Sequence, residues 1–376
     1  MIPSLLLSSI AHCPPSSPRG KSLSHLTSRS DPRHPLRSYT TDVHGSIRIC
    51  PLAKELIDTR HVQRLRELKQ LGASDLTYIN ATHTRFEHSL GVMHLAERML
   101  LSIIDKDKHR HLGMTPKDVA CVKIAGLLHD LGHGPYSHVY DGLFRTQLER
   151  LYERRSRRND DDDDDDDDDV GDDDGDVMKG WAHEDASLMM IDSMLADLGM
   201  QIDITDLDGP LRQIGDGIDA RRFGLGGGGL GSDDDGSDDE SEDDEEEEVD
   251  DDDDDGAPHP PSMDEVLTSR DWIFIKECAV GGPLPPGGVS IREFKRSASG
   301  RLARFVGRDA RKEFLYDVVS NRHSGLDVDK MDYLARDTLK AHGSNCIADL
   351  LPKLIEKAFV AWGEPREEGQ EKHLMM

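Results

Sequence analysis

The stretch that decides the fold is LLHDLGHGPYSH, from Leu127 to His138, because an adjacent histidine and aspartate stand near its start. His129 and Asp130 offer one neutral imidazole and one hard carboxylate to a single cation. A borderline metal such as Zn, Mn or Fe accepts that mixture. The dipeptide alone is weak evidence, since His129 could equally be a core histidine, so its neighbours along the chain decide the interpretation.

Two further motifs flank this stretch. HTRFEHSLG (His83 to Gly91) lies upstream and GLDVDKMDYLARD (Gly325 to Asp337) lies far downstream. The three motifs together give an ordered H…HD…D set that resembles the signature of the HD phosphohydrolase superfamily. We predict one divalent transition metal bound at a quartet whose ligand atoms lie within about 5 Å of one another: His88, His129, Asp130 and Asp329.

Helical signals surround the motif. Thr115-Pro116-Lys117-Asp118 is typical of a helix start, with Thr as N-cap, Pro at the first position and Asp three residues after the cap. The residues from Val119 to Leu128 are apolar nearly all round, which predicts a deeply buried helix that Gly132 and Gly134 end. His129 and Asp130 are therefore expected in the last turn of a core helix.

The remaining apolar spacing is also mostly helical, and only Ser46 to Ile49 alternates like a short strand. His88 should face the metal from the start of its helix, whereas His94 is expected to be a core or surface histidine. The predicted fold class is all-α, an HD-domain helical core with helices at Arg85 to Leu101, from Trp181 through Leu195, at Phe314 to Ser320 and at Asp329 to Ala341.

The net charge of −29 belongs to two segments. Residues 159–178 contain 14 Asp and residues 232–255 contain 19 acidic residues, both without a base, and outside them 42 acidic residues face 46 basic ones. Runs of like charge repel and bury no apolar area, so we expect solvated loops there. The predicted domains are a disordered tail at 1–36, a helical core formed by 37–150, 181–204 and 263–376, and disordered acidic inserts at 151–180 and 205–262.

The cysteines indicate a reducing compartment, nucleus or cytoplasm. All five are scattered without C-x-x-C spacing, which argues against a disulfide scaffold or a structural zinc site. No stretch approaches the roughly 20 apolar residues of a membrane span, so no membrane partner is expected. The first 30 residues lack acids and favour a disordered tail, with an organellar transit peptide as the alternative.

Five motifs in order carry a closer resemblance: QRLRELKQLG (Gln63 to Gly72), HTRFEHSLG, IAGLLHDLGHGPYSH, WAHEDAS and FLYDVVSNRHSGLDVDKMDYLARD. They resemble the eukaryotic SAM-and-HD-domain deoxynucleoside triphosphate triphosphohydrolases. The resemblance implies hydrolysis of a dNTP, with dGTP expected, to deoxynucleoside and inorganic triphosphate, with Mg on the substrate phosphates. We expect no SAM domain before the core and a chain truncated before the family's C-terminal lobe.

The resemblance also implies roles residue by residue. It places the catalytic histidines and their carboxylate partner at His133, His138, Asp141 and His183. It places triphosphate contacts at Arg85, Lys330 and Tyr333, and deoxyribose contacts at Gln70 and Asp337. It places a regulatory guanine-nucleotide site, for GTP or dGTP, at Arg37, Asp58, Gln63 and Arg66.

The chemistry of these residue types agrees with several of those roles. Arg85 and Lys330 can neutralise phosphates, one through its planar fork and the other as a point charge. Histidine titrates near neutral pH, and Asp141 lies three residues after His138, a helical spacing that lets a carboxylate orient the ring for general acid work. As the alternative to a catalytic role, His133 and His138 are simply polar residues of a Gly-rich loop. As the alternative to a triphosphate contact, Tyr333 packs in the fold.

Three readings of the function stay open from the sequence. The first is an active dNTP triphosphohydrolase. The second is an HD nucleotidase or phosphodiesterase acting on another nucleotide. The third is a weakly active regulatory fragment that binds nucleotides or single-stranded nucleic acid. Relatives form homo-oligomers through the missing lobe, so we expect GTP to bind weakly and not to drive tetramer formation.

Overall fold

The computed structural model describes residues 37–107, 111–139, 182–214, 267–287 and 289–362, with a few further residues between 142 and 150 and the pair 374–375. The predicted tail at 1–36, the insert at 151–180 and residues 215–262 of the second insert lie outside the described residues. Within the described residues, no helix is long and apolar enough to cross a membrane.

Helices build the body, which confirms the all-α prediction. They are α1 (Pro51–Ile57), α2 (Arg60–Gln63), α3 (Arg85–Lys106), α4 (Pro116–Leu128), α5 (His183–Asp197), α6 (Ser269–Val280), α7 (Ile291–Arg296), α8 (Ala298–Leu302), α9 (Val328–His342) and α10 (Leu351–Lys357). Short 3₁₀ helices span Arg64–Glu67, Ser74–Leu76, Ala310–Asp317 and Ala348–Leu350.

Three two-stranded antiparallel ribbons complete the described elements. They are β1 (Arg37–Thr41) with β2 (Gly45–Ile49), β3 (Met200–Gln201) with β4 (Arg212–Gln213), and β5 (Ala361–Trp362) with β6 (Leu374–Met375). The sequence predicted only β2, whose Ile47 and Ile49 are buried. β1 has no fully buried residue and therefore no apolar alternation to reveal it.

The core lies between α3, α4, α6 and α9. α3 packs along α4, α4 packs against α6, and α9 lies across α3. As predicted, α4 begins after an N-cap at Thr115, whose side chain accepts from the backbone N–H of Asp118, and nearly every residue of the helix is buried. Because α4 is packed on nearly all sides, its C-terminal end is held in place, and His129 directly follows that end.

Two predicted helices differ in the structure. The helix expected at Phe314 to Ser320 is a 3₁₀ helix that spans Ala310–Asp317. It begins earlier than expected because Asp309 caps it by accepting from the N–H of Arg311 at 2.9 Å. The helix expected at Asp329 begins one residue earlier, where Asp327 accepts from the N–H of Lys330 at 2.8 Å.

A buried charge network ties these helices together at one end. Arg308 donates to Asp118 and to Asp271, each at 2.7 Å, and Lys312 donates to Asp118 at 2.6 Å. Burial opposes the charged forms of both carboxylates. For Asp271 the backbone N–H of Thr268 and then Arg308 outweigh it, and for Asp118 Lys312 and Arg308 do, so the pKa of each lies below its usual range. The network therefore joins the starts of α4 and α6 to the start of the 3₁₀ helix Ala310–Asp317 and the residues directly before it.

Candidate active site

Three elements bring the predicted metal quartet together. His88 lies in the first turn of α3, His129 and Asp130 directly follow α4, and Asp329 lies in the first turn of α9. The Nε2 atom of His88 is 3.0 Å from Oδ1 of Asp329 and 3.5 Å from Oδ2 of Asp130. The Nε2 atom of His129 is 3.4 Å from Asp130 and 3.5 Å from Asp329. About 200 residues separate Asp130 from Asp329 in sequence, yet both line one site.

Hydrogen bonds on the far side of each imidazole direct the rings inward. Nδ1 of His88 donates to Oδ2 of Asp332 at 2.8 Å, and Nδ1 of His129 donates to the carbonyl of Gly126 at 2.9 Å. Each ring therefore turns its Nε2 atom towards the site. The Nε2 atom of His129 is buried and has no hydrogen-bond partner.

The electrostatics of the site favour a cation. Burial opposes the charged form of His88, but Asp329 and Asp332 outweigh it and raise the pKa to about 10. Burial also opposes a charged Asp130, but His129 and Arg85 outweigh it and hold that pKa well below its usual range. The carboxylates thus stay negative and attract positive charge at the centre of the quartet.

These residues fit one divalent transition metal. His88, His129 and Asp130 each offer a ligand atom within 4.8 Å of the others, and all three residues are buried. Two imidazole nitrogens with carboxylate oxygens suit Zn, Mn or Fe. The partnerless Nε2 of His129 is the atom that such an ion would satisfy, since a buried acceptor without a partner is costly.

Arg85 is bound to the quartet rather than left open to solvent. Its guanidinium donates a short hydrogen bond to Asp130 and a second, at 3.0 Å, to Oγ of Ser137, while its Nη2 is buried without a partner. Tyr136 and Ser137 have φ values of 63° and 55°, a left-handed conformation that costs a non-glycine residue energy. The 129–138 loop is therefore held in a strained shape against Arg85.

Three histidines form a cluster beside Asp130. The rings of His133 and His183 stack with centroids 3.8 Å apart, and the ring of His138 meets His133 edge-on at 5.1 Å. Burial lowers the pKa of His133 to about 4 in spite of Asp130, whose Oδ1 lies 3.3 Å from Nε2. His138 is exposed. Asp141, its expected carboxylate partner, lies outside the described residues.

Asp130, His133 and His183 also offer ligand atoms within 4.8 Å of one another. The structure thus brings the predicted catalytic histidines next to the predicted metal ligands. It does so through α5, whose first residue is His183.

The predicted sugar contacts lie on one side of the site. Gln70 is buried, and its Oε1 has no partner. Asp337 on α9 accepts from Nε2 of His83 at 2.7 Å. His83, whose side chain is fully buried, was not among the predicted site residues. Its place as the first residue of the HTRFEHSLG motif could have indicated it.

Lys330 and Tyr333 follow Asp329 on α9. The ammonium of Lys330 donates to the carbonyl of Gly325 at 2.5 Å, and Tyr333 is half-buried. Burial, and next the carboxylate of Asp329, raise the pKa of the Tyr333 phenol. The first two turns of α9 thus carry a carboxylate, an ammonium and a phenol.

Of the predicted regulatory residues, Asp58 and Arg66 are exposed and Gln63, which donates to the carbonyl of Ile57 at 2.8 Å, is half-buried. Asp58 is exposed and accepts from Lys54 at 2.7 Å, whereas Gln63 accepts from Nε of Arg66 at 2.8 Å. The guanidinium of Arg66 lies 3.7 Å from the ring centroid of Phe86. Arg37 is exposed at the start of β1.

Asp332 is the main residue that the sequence analysis missed. It is fully buried and accepts from His44, from His88 and twice from Arg336, so both oxygens are saturated. A Cβ at Gly91 of α3 would lie only 1.9 Å from its Oδ1, so this position must be glycine. Asp332 stands three residues after Asp329, a helical spacing that could have indicated it.

A model of the HD domain matches residues 85–160 of the chain. The match includes His88, His129 and Asp130 and the loop that follows them. The chain contains an HD domain. Three of the four predicted metal ligands, together with α3 and α4, lie within or directly beside the matched range, whereas Asp329 on α9 lies outside it.

The HD domain and its surroundings are similar to known triphosphohydrolases. The deoxynucleoside triphosphate triphosphohydrolase SAMHD1 of Danio rerio is 29% identical over 303 residues, which cover 81% of this chain and 33% of that protein. The Homo sapiens SAMHD1 is 31% identical over 295 residues, covering 78% of this chain and 32% of that protein. A SAMHD1 homolog of Dictyostelium discoideum is 43% identical over 99 residues, or 26% of this chain and 19% of that protein. This HD-domain chain thus spans about a third of the length of the first two relatives.

Proposed function

We propose that this chain hydrolyses deoxynucleoside triphosphates, dGTP among them, to the deoxynucleoside and inorganic triphosphate. The observation that supports it is the convergence of His88, His129, Asp130 and Asp329 from three separate elements. The similarity to proteins named as triphosphohydrolases over about four fifths of the chain agrees with it. We also propose these four residues as the metal ligands.

A bound divalent metal would lower the pKa of a water and polarise a phosphoryl oxygen. Around it, Arg85 presents a buried Nη2 without a partner, a donor suited to a phosphate oxygen. Lys330 adds a positive charge from the first turn of α9. Hydrolysis at the α-phosphorus releases the 5′-oxygen of the sugar, which must gain a proton. We assign that proton transfer to His138, the exposed member of the histidine cluster.

The sugar pocket supports a deoxynucleotide over a ribonucleotide. The partnerless Oε1 of Gln70 is an acceptor that a hydroxyl of the sugar can satisfy. The hydrogen bond from His83 holds the carboxylate of Asp337 in place, so this carboxylate cannot easily move to make space for a 2′-hydroxyl. We propose for this reason that the exclusion of a ribonucleotide, with its extra hydroxyl, is steric. We therefore expect dGTP to be turned over faster than GTP.

The test is turnover of dGTP by the full chain, loaded in turn with Zn, Mn and Fe and supplemented with Mg, with products separated by chromatography. Deoxyguanosine and triphosphate in equal amounts support the proposal. Release of dGDP or dGMP would identify another HD nucleotidase. The His129→Ala variant is the control, because any activity that survives it comes from a contaminant.

A regulatory role for guanine nucleotides at Asp58, Gln63 and Arg66 remains a separate proposal. The exposure of Asp58 and Arg66 supports it, since a ligand can reach both. GTP binding measured by calorimetry with the Arg66→Ala variant tests it, and light scattering with and without GTP reports the assembly state. Equal affinity in both proteins would contradict the assignment.

A further inference from the structure

Arg64 occupies an unusual environment for an arginine. Its side chain is half-buried between the end of α2, the 129–138 loop and α5, and Nε is buried without a partner. Burial lowers the pKa of its guanidinium, and none of the described carboxylates forms an ion pair with it. A cation partly removed from water without a counter-ion is destabilising unless hydrogen bonds compensate for the lost hydration.

The partners of Arg64 are backbone carbonyls of the 129–138 loop. A single terminal nitrogen, Nη2, donates to the carbonyl of Leu131 at 2.6 Å and to that of His133 at 2.9 Å. These two carbonyls flank Gly132. The two N–H groups of one nitrogen therefore fix the segment that leads from the metal ligand Asp130 to the stacked ring of His133.

The opposite side of the same segment is held by Ser187 of α5. Its Oγ accepts from the N–H of Gly132 at 2.9 Å and donates to the carbonyl of His129 at 2.8 Å. A Cβ at Gly132 would lie 2.1 Å from the carbonyl oxygen of His183, so only glycine lets α5 approach this closely. The 129–138 loop is thus hydrogen-bonded to Arg64 on one side and to Ser187, near the start of α5, on the other.

The short segment 60–67 that carries Arg64 runs along α5. Arg60 pairs with Asp197 at 2.7 Å, and Nε2 of His61 lies 3.0 Å from Oγ of Ser193. Arg64 itself also reaches the sulfur of Met190 at 3.5 Å. The segment therefore contacts α5 at three successive points and ends at the loop.

We propose that Arg64 is a positioning residue that holds the Leu131–His133 backbone, and through it the His133 ring, in the arrangement required for hydrolysis. It does not touch the reacting atoms. It acts on His133, whose stacking on His183 depends on where the loop and α5 meet. The inference deepens the proposed function, on which its kinetic part rests.

The first experiment measures hydrogen exchange in the full chain and does not depend on activity. Arg64→Met keeps much of the side-chain volume and removes both donors. We expect the amides of Gly132 and His133 to exchange about tenfold faster or more, with α3 and α4 unchanged, because loss of these bonds permits local opening. Arg60→Met is the matched control, since it removes an exposed contact of the same segment with α5, and it should leave the loop unchanged.

The second experiment measures steady-state kinetics with dGTP. Arg64→Met should lower kcat about 10- to 100-fold, because misplaced catalytic groups act on the chemical step, with KM and metal content nearly unchanged. Arg64→Lys keeps the charge on a shorter stem and should restore part of kcat. Should Arg64→Met fail to fold, the comparison of Arg64→Lys with Arg60→Lys, by hydrogen exchange of the 129–138 loop and by kcat, decides the question.

Three outcomes would overturn the inference. One is loop exchange and kcat in Arg64→Met equal to those of Arg60→Met. Another is faster exchange spread evenly over α3 and α4, which would make Arg64 a general support of the fold. The third is a raised KM with unchanged kcat, which would make it a binding residue. If the unmodified protein releases no triphosphate, the proposed function fails, while the exchange experiment still decides the role of Arg64.

Discussion

Asp332 accepts a hydrogen bond from Nδ1 of His88 at 2.8 Å and thereby fixes which nitrogen of that ring faces the proposed metal site. The carboxylate stays charged because Arg336, His44 and His88 outweigh its burial and hold its pKa well below the usual range. A carboxylate behind a ligating histidine sets the tautomer and orientation of the ring and makes it a stronger ligand. Asp332 also links the β1–β2 turn to the site, because it accepts a hydrogen bond from His44, which lies in that turn.

Replacing Asp332 with asparagine should therefore weaken metal retention. We expect about a 10- to 100-fold loss in affinity, measured by competition with a chelator and by elemental analysis of folded protein. Asp337→Asn is the matched control, because it alters a carboxylate on the same helix that bonds His83 instead of a proposed ligand. Equal metal affinity in Asp332→Asn and the unmodified protein would show that the carboxylate does not orient His88.

The two kinds of histidine should separate in a metal and activity assay. His129→Ala should lose both bound metal and turnover, since it removes a proposed ligand. His138→Ala should keep the metal and lose about 10²–10⁴-fold in kcat, the usual contribution of a general acid. Loss of metal from His138→Ala to the same degree would make His138 a ligand and overturn its assignment.

Gly91→Ala tests the close packing of α3 on the Asp332–Arg336 pair. The added Cβ would lie 1.9 Å from Oδ1 of Asp332 and 2.6 Å from Nη2 of Arg336. We expect a loss of about 1–3 kcal/mol in the free energy of unfolding by urea, together with weaker metal retention. Gly126→Ala is the comparison, since its Cβ would meet Met93 N at 3.2 Å and should cost less. Losses of equal size would contradict the special role of position 91.

Arg308→Met should destabilise the fold and change its response to acid. Removing the guanidinium leaves Asp118 and Asp271, whose side chains are 2% and 5% exposed, short of a partner, so we expect a loss of about 3–5 kcal/mol at pH 7. Arg270→Met, which removes a pair with the 78% exposed Asp208, should destabilise the fold far less, because solvent screens that pair.

The sign of the acid dependence follows from the lowered pKa values of Asp118 and Asp271. Carboxylates with a lowered folded-state pKa stabilise the protein above their unfolded pKa, about 3.9, and this stability is lost as the pH falls through the folded pKa. The unmodified protein should thus lose more unfolding free energy below about pH 4 than Arg308→Met does. A constant difference between pH 7 and pH 3 would contradict this account.

The sequence by itself determined the local features. The N-cap and Pro at Thr115 and Pro116 and the apolar run to Leu128 predicted α4 and the place of His129 and Asp130, because short-range capping and burial fix a helix within a few residues. The ordered motifs predicted the members of the metal quartet. The sequence did not predict strand β1 or the 3₁₀ character of Ala310–Asp317, since neither leaves a periodic apolar pattern.

Only the tertiary structure decided what surrounds those residues. The hydrogen bond from His88 to Asp332 joins residues 244 apart in the chain, and Arg64 reaches carbonyls 67 and 69 residues away. Contacts between helices depend on how whole faces pack, and the backbone carbonyls that Arg64 binds carry no side-chain signature at all. The sequence thus names the groups that do chemistry, while the packing of α3, α5 and α9 sets the atoms that orient them.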